Sequence, residues 1–132
     1  MREVVIVAGV RTPIGNFGGA LKDLPPHKMG ELVVREAVSR AKVDPRLIDE
    51  VIVGSVGHTS DAYNVARAIA LMAGLPVRTP AYSVQRNCSS GLQPFVNAFH
   101  VALDALELLA YPAPALLPKY RVIHVVQFDV VF

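Results

Sequence analysis

Within Ser83-Val84-Gln85-Arg86-Asn87-Cys88-Ser89-Ser90-Gly91-Leu92-Gln93 stands the only cysteine of a 132-residue chain. The segment Pro80 to Asn87 before it has the character of a strand, and the apolar segment after it reads as a helix. A thiol at a strand-to-helix junction meets backbone N–H groups and the positive end of a helix dipole, which favour negative charge. The thiolate is the reactive form of cysteine. Ser89, Ser90 and Gly91 are small, so an acyl group could approach the backbone closely. The chemistry this predicts is nucleophilic acceptance of an acyl group by Cys88. The competing reading is a buried cysteine used as a small apolar side chain.

The elements that would position Cys88 follow from periodicity. Val4–Val10 is a continuous apolar run of strand length, which suggests a strand covered on both faces of a parallel sheet. Arg11 to Pro26 is a Gly- and Pro-containing loop. From His27 to Lys42, Met29, Val33, Ala37 and Ala41 recur every four residues with Val34 and Val38 beside them, a helix with one apolar face. Asp44-Pro45 is an N-cap followed by proline at the first position of a short turn. Glu50 to Val56 is a second strand of the buried type, and Asn64 to Ala73 a small-residue helix stopped by Gly74 and Pro76. Pro80 to Asn87 is the third strand. Strands alternating with helices predict an α/β layer, whose functional groups gather at the carboxyl ends of strands, where Cys88 stands.

Composition bounds the function. The chain is 52% hydrophobic, rich for its size, so either much of it is buried on both sides or it expects a partner surface, and its formal net charge of +2 gives no argument for nucleic acid or an anionic membrane. One cysteine fits a reducing compartment, so a cytoplasmic protein is expected, or a mitochondrial or peroxisomal one if the source is eukaryotic. No signal peptide, membrane span, zinc-ligand spacing or dinucleotide fingerprint is read, and no metal or bound cofactor is expected.

Ordered along the chain, the motifs are similar to those of one family. Val5-Ile6-Val7 leads into Arg11-Thr12-Pro13-Ile14-Gly15 and Phe17-Gly18-Gly19; Asp49-Glu50-Val51-Ile52-Val53-Gly54, Asn64-Val65-Ala66-Arg67 and Ala73-Gly74-Leu75-Pro76 follow; Asn87-Cys88-Ser89-Ser90-Gly91-Leu92-Gln93 comes last. Over residues 2–100 the chain resembles the N-terminal part of the thiolases, the acetyl-CoA C-acyltransferase family. The resemblance implies an α/β fold, part of the N-terminal βαβαβ layer of a layered αβαβα architecture, here truncated. It implies acyl transfer from a 3-ketoacyl-CoA or acetyl-CoA, through a Cys88 acyl-enzyme, to coenzyme A or a second acetyl-CoA. Coenzyme A thioesters would be substrates, and a homo-oligomer or an aggregation-prone piece is expected. The Cys88 N–H, near a helix start, would help hold the thioester oxyanion.

Departures from the family are equally specific. Its Gly-His-Pro histidine and the second cysteine of its Cys-x-Gly motif, which carry protons, have no counterpart among His27, His58, His100 and His124 or anywhere else in the sequence. Pro94 stands where the family has a small helix former and would kink the helix. Asn97-Ala98-Phe99 echoes a downstream family motif by coincidence. The expected division is 1–100, partial thiolase domain, and 101–132, a divergent tail with a Pro-rich break at Tyr111-Pro112-Ala113-Pro114 and an apolar strand from Arg121. That tail suggests a truncated or frame-disrupted product, its strand having no obvious place in the family's topology. Two alternatives stand beside a thiolase segment: a non-catalytic piece or subunit completed by another chain, and a ketoacyl-synthase-like condensing enzyme.

Overall fold

A computed structural model describes residues 4–57, 60–108 and 122–127, with 105–108 and 122–127 as backbone only. Helix α1 spans Pro26–Ala41, strand β1 Ile48–Gly54, helix α2 Val65–Met72, strand β2 Ala81–Val84, helix α3 Gln93–Leu108 and strand β3 Val122–Gln127. The sheet order is β2-β1-β3, and both pairings are parallel.

β1 is central because its sequence suits burial on both faces. Val51, Ile52 and Val53 have no exposed surface. With a side-chain period of two, Val51 and Val53 share one face. They pack with Val33 and Val34 of α1 and with Val65, Ala66, Ile69 and Ala70 of α2. Gly54, on the opposite face with Ile52, meets Ser90 and Pro94 at the start of α3. Two helices therefore lie on one side of the sheet and α3 on the other. The Ile48–Gly54 strand begins and ends two residues earlier than its apolar pattern predicts; Val56 is exposed.

Local signals set the helix ends. Pro26 opens α1, where a missing N–H costs nothing. Asn64 caps α2 by accepting the Arg67 N–H at 3.0 Å, a contribution of about 1 kcal/mol. Gly74 follows with φ 84°, the left-handed conformation that ends a helix at least cost to glycine. Before β1, Asp44 caps the Pro45–Leu47 turn through the Arg46 N–H, and the Arg46 side chain pairs with the same carboxylate, holding its pKa at about 2.

The first predicted strand does not form. Val4–Val10 pairs with no strand among the described residues, and Val5 and Ile6 are 67% and 79% exposed. Both edges of β1 are already taken, one by β2 and the other by β3. The tail strand thus has a place: Val51 pairs with His124 and Val53 with Val126, with an irregular register between Ile48 and Glu50. The apolar run of residues 4–10 had the composition of a strand, but strand formation depends on an available neighbour. Pro94 corrects a second expectation. It is the second residue of α3, not an interior one, so its missing N–H breaks no helical hydrogen bond.

Candidate active site

Cys88 is exposed and lies in the turn between β2 and α3. The structure differs from the predicted junction here. α3 begins at Gln93, five residues beyond Cys88, and β2 ends four residues before it, at Val84. Since a helix dipole acts within the first turn, the sequence argument that α3 itself activates the thiol does not carry over. What the structure provides instead is a tightly hydrogen-bonded loop at the carboxyl end of the sheet.

The loop is built from successive turns. Ser89 N–H donates to Arg86 O at 3.0 Å, Ser90 N–H to Asn87 O at 3.0 Å, and Gln93 N–H to Ser89 O at 3.0 Å. Asn87, directly before the cysteine, has φ 47°, a left-handed conformation that asparagine tolerates better than most residues. The Ser90 side chain closes the loop: its hydroxyl accepts the Arg86 N–H and donates to Asn87 O, both at 2.7 Å. Ser90 is 1% exposed, and both bonds of its hydroxyl are made inside the protein, as a buried polar group requires.

Neighbouring elements fix this loop to the core. β2 is held against α2: Asn64 Nδ2 donates to Ala81 O at 3.1 Å, and Ser83 Oγ accepts the Ala66 N–H at 3.2 Å. Arg67 donates to Thr79 O at 2.8 Å and Val77 O at 2.9 Å, so the approach to β2 is fixed as well. On the other side, Arg86 donates to Gln93 Oε1, Gln93 Nε2 to Asn97 Oδ1 at 2.7 Å, and Asn97 Nδ2 to the Tyr82 hydroxyl at 3.3 Å. Sequence reasoning missed this path. Gln93 and Asn97 are four residues apart on one helix face, which was the available signal; the partners Arg86 and Tyr82 come from other elements.

The histidines are not gathered at the thiol. His27 sits at the start of α1, its Nδ1 3.9 Å from Asp61 Oδ2, too far for a hydrogen bond. The His100 ring lies edge-on to Phe99. His58 lies outside the described residues, and His124 is placed only by its backbone in β3. No group of three or more His, Cys, Asp or Glu suited to a metal occurs among the described residues, and no described helix is long and apolar enough to cross a membrane.

The parallel sheet with helices on both faces, and a cysteine loop beyond the ends of its strands, defines an α/β protein with a candidate nucleophile at the carboxyl edge. Residues 4–105 match the family model described as thiolase, N-terminal domain, and the chain belongs to that family. The beta-ketothiolase BktB of Cupriavidus necator is 47% identical over 104 residues, which are 77% of this chain and 26% of that protein. An acetyl-CoA acetyltransferase of Clostridioides difficile is 44% identical over 93 residues, 70% of this chain and 87% of the relative. Among solved structures, the Bacillus anthracis acetyl-CoA acetyltransferase superposes with a TM-score of 0.74 at 44% identity, covering 77% of this chain and 26% of that one. The chain therefore spans about a quarter of the length of BktB and of the Bacillus enzyme, and most of the Clostridioides protein.

Proposed function

We propose that this chain carries the acyl-accepting half of a thiolase-type acyltransferase, with Cys88 as the nucleophile and a coenzyme A thioester as the acyl donor. The observation that carries the reading is the exposed thiol on a loop fixed at both sides, within a thiolase N-terminal domain. The thiolate sulfur attacks the thioester carbonyl, the C–S bond to coenzyme A breaks, and coenzyme A leaves as a thiol after taking a proton. The acetyl group remains on Cys88 as a new thioester, available to a second acceptor. The names of the relatives favour acetyl-CoA as the donor for this step, with coenzyme A or a second acetyl-CoA as acceptor; with a 3-ketoacyl-CoA the sulfur would instead attack the 3-keto carbonyl, the C2–C3 bond would break, and acetyl-CoA would leave after taking a proton at C2. Carbon–carbon cleavage needs further proton carriers, which the resemblance assigns to residues with no counterpart in this sequence. A subunit completed by another chain is therefore the second reading, favoured by the same gap; no observation favours the ketoacyl-synthase alternative.

Peptide mapping tests the nucleophile. After incubation with acetyl-CoA, mass spectrometry of the digested chain is expected to place one acetyl group on the Cys88 peptide and none on the same peptide of Cys88→Ser. Acetylation confined to lysines, or no acetylation, would remove Cys88 from the reaction.

A further inference from the structure

We propose that Gly54 and Ser90 act as positioning residues for Cys88, a role that rests on the acyl-transfer reading. Gly54 is the last residue of β1, and the Cys88 loop lies directly on it. A Cβ at residue 54 would stand 2.0 Å from Ser90 O, 2.7 Å from Ser90 C and 3.2 Å from Pro94 Cγ. Two of these neighbours are backbone atoms, which cannot rotate aside as a flexible side chain would. Glycine is required here for close approach, not for an unusual φ.

Ser90 converts that close approach into a fixed position for the thiol. Its carbonyl rests on Gly54, while its hydroxyl and N–H reach back across Cys88 to Arg86 and Asn87. The two residues before Cys88 are thus tied to the buried serine two residues after it, and that serine is seated on the end of the central strand. Pro94 completes the seat from the first turn of α3. An alanine at 54 must displace Ser90 and the attached loop by roughly 1 Å, a misplacement of the size that can cost about 10²-fold in a positioned reaction. The small side chains beside Cys88 therefore have two distinct jobs: Ser90 holds the loop from beneath, whereas Ser89 is exposed.

The test compares Gly54→Ala, Ser90→Ala and Gly57→Ala. A Cβ on Gly57 meets nothing within 4 Å, so this variant controls for the loss of glycine flexibility alone. Two rates at Cys88 are measured at one pH: acetylation by acetyl-CoA over a range of concentrations, and alkylation by iodoacetamide, a small reagent that needs no aligned carbonyl. The expected result is a limiting acetylation rate about 10–100-fold lower in Gly54→Ala and Ser90→Ala. Half-saturating acetyl-CoA and the alkylation rate should stay within about threefold of the unsubstituted chain by the same geometric argument, and Gly57→Ala should leave both rates unchanged. Unchanged acetylation in both variants, or equal losses of acetylation and alkylation, would overturn the positioning role. Failure of the unsubstituted chain to acetylate at all would overturn the nucleophile reading and this role together. If Gly54→Ala does not give a cooperative thermal melt, Ser90→Ala decides.

Discussion

Acetoacetyl-CoA is expected to remain uncleaved when the isolated chain is mixed with coenzyme A, although Cys88 takes up an acetyl group when acetyl-CoA is the donor. Cleavage of a carbon–carbon bond moves protons at two centres, and a positioned acid or base typically contributes about 10²–10⁴-fold at each. Loss of both lowers the rate by roughly 10⁴–10⁸-fold if the contributions multiply. The described histidines offer no substitute. His27 stands at the start of α1 with its Nδ1 3.9 Å from Asp61, and the His100 ring lies against Phe99. Cys88 is also the only thiol in the sequence, so it cannot serve as nucleophile and as second acid at once. The measurement is loss of the acetoacetyl-CoA absorbance under excess coenzyme A, with Cys88→Ser as blank. Turnover near the enzyme median of about 10 per second would show that residues of this chain supply the proton transfers after all.

The second large effect is on assembly. At micromolar concentration the chain is expected to sediment as a dimer or larger species. Val5, Ile6 and Phe17 are exposed along the N-terminal segment, and Phe95 and Phe99 along α3. Large apolar side chains exposed in this number draw other chains where they gather into a patch. Among the described residues β2 pairs on one side only, with β1, which leaves an open edge of four residues. Sedimentation velocity over a hundredfold range of concentration decides the matter. One monomeric boundary throughout, with a cooperative melt, would contradict it.

The parts of the fold legible in the sequence were those set by local pattern. The doubly apolar run Val51–Val53 marked a strand covered on both faces, and Gly74, Asp44 and Pro45 marked element ends through their own backbone chemistry. Misreadings arose where a distant partner decides. Val4–Val10 has strand composition but no free edge on β1, because residues 122–127 occupy it. No local signal reveals which of two apolar segments takes that edge. The boundary of α3 was placed too early because Ser89 to Leu92 form turns before the helix proper, and this moved Cys88 away from the helix end. Pro94 appeared disruptive only under that early boundary. At the candidate site the cysteine was legible from residue type and spacing. The network from Arg86 through Gln93 and Asn97 to Tyr82, and the seating of Ser90 on Gly54, were not; both depend on how β1, β2 and α3 converge.

Acyl transfer through Cys88 is tested most directly by the return step. The acetylated chain is freed of acetyl-CoA by rapid gel filtration, then mixed with free coenzyme A, and the products are resolved by chromatography. Acetyl-CoA is expected to reappear in an amount equal to the acetyl group bound, as the Cys88 thiol is regenerated and the coenzyme A sulfur takes the acyl group. Release of the label as acetate alone, or an acetyl group that coenzyme A leaves in place, would contradict it.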